Sequence, residues 1–183
     1  NANSGVGSGQ NIILIRADYL TSNETWSKNE LPYVVSGDIS VWHPSRSLGG
    51  SYTTLTIEPG VEVRFEAGAG LYIGRDYSGS NGYYGALAAQ GTAAAPIVFT
   101  SNAAVPAPGD WKGIYFHDPS SDAATILEHC VVEYGGHTHA ANLYFFGASP
   151  TITDNTIRHS SGHGIYSNDG SSGYITANVF SGN

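Results

Sequence analysis

No internal disulfide can form in this chain, because Cys130 is its single cysteine. That residue is read as a small, buried and inert thiol. Methionine is absent, and charged residues make up only 12% of the 183. No apolar run reaches the roughly 18 residues a membrane span requires, so no membrane insertion is expected. Basic residues are scarce, with seven Lys and Arg against 15 Asp and Glu, giving a net charge of −8. Nothing resembles a basic stripe, which argues against nucleic acid and against anionic membrane surfaces as partners. No stretch has convincing helical periodicity. The best helix candidate, "APGDWKG", is too short and is bounded by glycine.

What the chain has is glycine (24) and tyrosine (12), with many Ser, Thr and Asn. That composition suits a β-rich secreted protein. The length suits one domain with a real core, and no linker divides it. The chain opens at Asn1 rather than Met and shows no signal peptide, so a processed or trimmed form is expected. Short strands are predicted at "NIILI" (11–15), "YVVSGDISVW" (33–42), "TLTI" (54–57), "VEVRF" (61–65), "LYIG" (71–74), "PIVFTS" (96–101) and "GIYF" (113–116).

A repeat decides the architecture. When Leu127, Ile152 and Ile175 are aligned, Cys130, Asn155 and Asn178 share a column, and so do Val132, Ile157 and Phe180. The offsets are 25 and then 23 residues. A second strand, "GIYF", "NLYF" and "GIYS", sets Ile114, Leu143 and Ile165 in register. The reading is a coil of about 22–25 residues with two or three strands, stacked at about 4.8 Å into parallel sheets. The asparagine column is assigned to a turn, where Asn tolerates left-handed backbone and bonds the next coil. A leucine-rich repeat would need a denser leucine pattern, and a β-sandwich would not explain the columns. The predicted fold is an all-β, right-handed parallel β-helix of about seven coils over residues 11–183, preceded by a flexible arm at 1–10.

The segments "ETWSKNELPYVVSGDISV", "LTIEPGVEVRFEAGAGLYI", "GALAAQGTAAAPIVFTS" and "GDWKGIYF" follow in the order of a recurrent bacterial and archaeal surface module. The chain thus resembles the right-handed parallel β-helix modules of the pectate-lyase-like superfamily, from about Thr25 to Asn183. The resemblance implies that fold and an extracellular or cell-surface location, and many such modules look non-catalytic. Two segments are longer than the resemblance implies, "GRDYSGSNGYYGAL" (74–87) and "HPSRSLGGSYTT" (43–54).

The chemistry of a polysaccharide-cleaving enzyme is thinly represented. Gly162-His163-Gly164 matches a short signature of pectin hydrolases, but only Asp154, Asp169 and Arg158 stand near it in sequence. Inverting hydrolysis needs an acid and a base about 6.5–9.5 Å apart. A glycine on each side of His163 also reads as turn chemistry. Lyases of this fold use a basic residue with calcium, whereas the basic residues here are scattered and the net charge would repel a polyuronate. His139 and His163 fall near one column and are the weak metal candidates; otherwise no cofactor is implied. Asp118 and Asp122 could hold calcium through loop oxygens, without an ordered calcium-loop spacing. Tyr52, Tyr77, Tyr83 and Tyr84 crowd the two expanded loops and form a candidate aromatic binding surface, for protein or polysaccharide.

The two ends suggest assembly. "ITANVFSGN" begins a coil that is not completed, so an open end near Val179 and Phe180 is expected. Either the chain continues as the rest of a longer surface protein, or Ile12, Ile13, Leu14 and Ile15 of another copy cover that end. The second arrangement is head-to-tail and builds a filament. The functional expectation is therefore a non-catalytic extracellular structural module able to self-assemble into a filament, with polysaccharide binding through the tyrosine loops as the alternative and a polysaccharide lyase or hydrolase as the third reading.

Overall fold

A computed structural model describes residues 11–45, 51–75 and 82–183. Each coil contributes three short strands. The first coil is β1 (Ile13–Ile15), β2 (Asp18–Leu20) and β3 (Glu24–Trp26), and the second is β4 (Tyr33–Val35), β5 (Ile39–Val41) and β6 (Thr53–Ile57). The third is β7 (Glu62–Phe65), β8 (Leu71–Ile73) and β9 (Gly85–Gln90); the fourth is β10 (Ile97–Ser101), β11 (Ile114–His117) and β12 (Ile126–Glu128). The fifth is β13 (Cys130–Glu133), β14 (Ala141–Phe146) and β15 (Thr151–Thr153); the sixth is β16 (Thr156–Arg158), β17 (His163–Asn168) and β18 (Tyr174–Thr176). β19 (Val179–Ser181) opens a seventh.

Every strand pairs in parallel with the strand three elements away, giving three sheets, one of seven strands and two of six. The fold is a right-handed parallel β-helix, as expected. The single helical element among the described residues is a 3-10 turn at Asp122–Ala124. "YVVSGDISVW", predicted as one strand, is two strands with a corner at Ser36–Asp38, where the chain passes from one sheet to the next.

The alternation of strand side chains places one apolar column inside each sheet. In the seven-stranded sheet Ile13, Tyr33, Val63, Phe99, Val132, Ile157 and Phe180 stack in direct register. Ile114, Leu143 and Ile165 share the second sheet, and Leu127, Ile152 and Ile175 the third, as the repeat predicted. Ile175 and Phe180 are 42% and 49% exposed because among the described residues no coil covers them from above.

The asparagine column forms a ladder between coils. Asn155 Oδ1 accepts from Cys130 N at 2.7 Å, and its Nδ2 donates to Leu127 O and to Asn178 Oδ1, each at 3.0 Å. Asn178 repeats the pattern one coil on, donating to Ile152 O at 2.8 Å. The left-handed residues, however, are their predecessors His129, Asp154 and Ala177, at φ near +50°. The asparagines supply the hydrogen bonds, and the residue before each supplies the bend. Cys130, beneath this ladder, is buried as a free thiol, and burial pushes its pKa up to about 12.

Candidate functional site

The outward positions of the second sheet carry the most distinctive surface. The column of interior residues in this sheet is followed by a column that points outward from the cylinder, and the register aligns Tyr19, Ser40, Tyr72, Tyr115, Tyr144 and Tyr166 in it. Five of the six are tyrosine. The rings pack on one another at 4.7 Å (Tyr72–Tyr115), 5.4 Å (Tyr115–Tyr144) and 5.5 Å (Tyr144–Tyr166), the last pair stacked within 2°. Tyr115 is buried in the middle of the row, while Tyr19 and Tyr166 are exposed. Burial, and then the Asp38 carboxylate, push the Tyr72 phenol up to about 12; burial likewise raises that of Tyr115. Both phenols therefore act as neutral hydroxyls at physiological pH.

The row breaks at Ser40. The missing ring opens a cleft of about 420 Å³ lined by Ala17, Asp18, Tyr19, Asp38, Ser40 and Tyr72. This falls in the range of small-ligand sites. Tyr19 and Tyr72 stand two strand spacings apart, about 9–10 Å along the sheet. Lys112 Nζ bonds both oxygens of Asp38, at 2.7 and 2.9 Å, and lies 5.9 Å from the Tyr72 ring centroid. Asp18 Oδ1 accepts from Tyr19 N at 2.7 Å. Behind Tyr19, the Arg75 guanidinium lies over the Tyr19 and Trp42 rings at 5.4 and 5.2 Å. Two carboxylates, Asp18 and Asp38, thus line the cleft, and two cations stand beside it, Lys112 on Asp38 and Arg75 over the Tyr19 ring, so the formal charges of the four cancel.

The tyrosine-loop surface expected from sequence divides into two places. Tyr83 packs on Trp42 at 4.9 Å, beside the Arg75 cluster. Tyr52 and Tyr84 line a separate cavity of about 410 Å³ together with Asp118 and Asp122. Tyr77 lies outside the described residues, as does the arm at 1–10.

His163 begins β17 rather than occupying a turn. Its flanking glycines answer to packing: a Cβ on Gly162 would meet Ala140 O at 2.6 Å, and one on Gly164 would meet the Phe180 ring at 2.7 Å. The cavity beside it is lined by Gly162, His163, Gly164, Ile165, Ser167, Ile175, Phe180 and Asn183, with no carboxylate. Arg158, which sequence placed beside Asp154, instead pairs with Glu133 at 2.7 Å. His163 is in register with Ala141, two residues past His139, so the two histidines do not share a position. Both join the aromatic row, His139 stacking on Tyr144 at 4.4 Å and His163 packing on Tyr166 at 5.6 Å. Among the described residues they belong to no three-ligand group.

At the ends, Ile13 and Ile15 turn into the chain's own core while Leu14 faces outward, 46% exposed. β1 pairs with β4, and its other edge has no partner strand among the described residues. At the opposite end of the same sheet Val179 is 60% and Phe180 49% exposed.

A three-sheet parallel solenoid with an aromatic outer face defines a β-helix domain. Residues 20–147 match the family model of the pectate-lyase-like beta helix domain, and the chain belongs to that family. No curated protein and no solved structure matches the chain.

Proposed function

We propose that this domain is a non-enzymatic, extracellular module that binds a neutral polysaccharide along its tyrosine row. The break at Ser40 between Tyr19 and Tyr72 carries the proposal. Tyrosine faces offer flat apolar platforms for the C–H faces of sugar rings, and the phenols and carboxylates offer hydrogen-bond partners for hydroxyls. Mutually cancelling charges around the cleft favour a neutral glycan over a uronate, and the net charge of −8 acts in the same direction. Asp38 is engaged by Lys112 and Asp18 by the Tyr19 amide, an arrangement that suits holding hydroxyls more than transferring protons.

The replacement Ser40→Tyr would complete the row and fill the cleft. It should lower affinity for neutral glucans, xylans or mannans at least tenfold in affinity electrophoresis while leaving the melting temperature within a few degrees. Polygalacturonate should be retained by neither protein. Undiminished glycan binding in the variant, or binding of polygalacturonate alone, would remove the proposal.

A second reading rests on the sheet edges. β1 and β19 are the two outer strands of one parallel sheet, so β19 of one copy can pair with β1 of the next in the same direction. Apolar residues stand exposed at that junction, Leu14 on one side and Val179 and Phe180 on the other. Head-to-tail stacking on a cell surface would cover them. Light scattering should then show concentration-dependent oligomers that Val179→Lys reduces to monomers. A parent chain that stays monomeric at high concentration would sink this reading and leave further coils of a longer protein as the cover.

A further inference from the structure

Away from the tyrosine face, one corner of the solenoid brings three metal-ligating side chains together from two successive coils. We propose that Glu128, His129 and Asp154 hold one divalent first-row transition ion, with Zn²⁺ as the best chemical match. Their ligand atoms all lie within 4.8 Å of one another. Glu128 ends β12, His129 follows it, and Asp154 follows β15 on the next coil. Because Glu128 is in register with Thr153, the next position sets His129 beside Asp154.

The backbone holds this pairing. His129 and Asp154 share left-handed geometry, at φ 49° and 56°, and so present their side chains in the same way one coil apart. Their amides donate to Thr153 O and Thr176 O, each at 3.3 Å, which carries the inter-coil bonding through the turn. Gln90 Nε2 donates to Glu128 Oε2 at 3.1 Å and orients that carboxylate, leaving Oε1 for an ion. An outer hydrogen bond of this kind is a regular companion of a ligating carboxylate.

The donor set selects the ion. One imidazole and two carboxylates form a mixed nitrogen and oxygen set that suits zinc and its neighbours. Calcium takes six to eight oxygens and gains nothing from the imidazole. Ligand atoms about 2.0–2.2 Å from an ion stand closer together than 4.8 Å. Asp154 is exposed, so its side chain can close the remaining gap by rotation. The column continues to Gly91 below and Ala177 above, neither of which offers a ligand, so water completes the coordination. An ion here joins the β12–β13 turn to the β15–β16 turn and clamps two coils.

The test uses the full chain, chelator-treated and free of any polyhistidine tag. Calorimetric titration with Zn²⁺ should show one ion per chain, and Co²⁺ in its place should give visible d–d absorption. Zinc should also raise the melting temperature. His129→Asn and Asp154→Asn keep the fold, because Asn tolerates left-handed backbone; each should weaken zinc binding at least tenfold, as should Glu128→Gln. His139→Asn should leave it unchanged. No binding to the parent chain at millimolar zinc would overturn the proposal. So would binding that survives both Asn variants, or binding that His139→Asn abolishes.

Discussion

Replacing Trp111 with alanine should lower the unfolding free energy by about 3–5 kcal/mol. The indole is fully buried and stacks on Phe65 with centroids 4.1 Å apart and planes within 8°. Truncation removes a large buried surface and leaves a cavity that the closed cylinder cannot collapse around, since its walls are fixed by inter-coil bonding. Trp111 Nε1 also donates to Glu133 O at 2.8 Å, so the change orphans a buried carbonyl and adds about 1–3 kcal/mol. The sum is a large part of the stability of an ordinary domain. Trp111→Phe keeps a ring on Phe65 and loses the N–H, so it should recover more than half of the loss. Urea unfolding monitored by circular dichroism would measure both. A Trp111→Ala chain within 1 kcal/mol of the parent would mean that the interior relaxes far more freely than this stack implies.

The second large effect is expected at Asn155. Alanine there leaves the Cys130 N–H and the Leu127 carbonyl without their side-chain partner inside the wall. Each unsatisfied buried group costs about 1–3 kcal/mol, so a total loss near 3–4 kcal/mol is expected. Aspartate should be worse, because it would set a carboxylate against the Leu127 carbonyl and lose the donor. Asn178 makes the same bonds one coil on but is less buried, so Asn178→Ala should cost clearly less. Equal losses at the two positions would show that burial does not set the strength of this ladder.

The sequence carried the fold in its columns. Leu127, Ile152 and Ile175 were legible because interior positions of a β-helix tolerate only apolar side chains, and insertions are confined to turns. The break inside "YVVSGDISVW" was not legible, because both halves have strand composition and the corner depends on packing between coils. The tyrosine row is legible in the alternation of the strands. Tyr115, Tyr144 and Tyr166 each follow a residue that the repeat sets in register, Ile114, Leu143 and Ile165, so period-two alternation alone turns them outward. The cleft at Ser40 was harder to see, since it is defined by a ring that is missing from a row. The alignment of Leu127 with Ile152 also sets His129 beside Asp154. The left-handed backbone that orients His129 and Asp154 has no clear signature in the sequence, where the neighbouring asparagines are the stronger left-handed signal.

The pairing of every strand with the strand three elements before it bears on how the chain is made. β4 needs only β1, β7 needs only β4, and no strand waits for a distant partner. As residues emerge in order during synthesis, each new coil meets a completed template and adds to it, so the order of translation is the order of assembly. Growth of this kind proceeds from one end, like a crystal advancing layer by layer. The newest layer stays exposed until the next coil covers it.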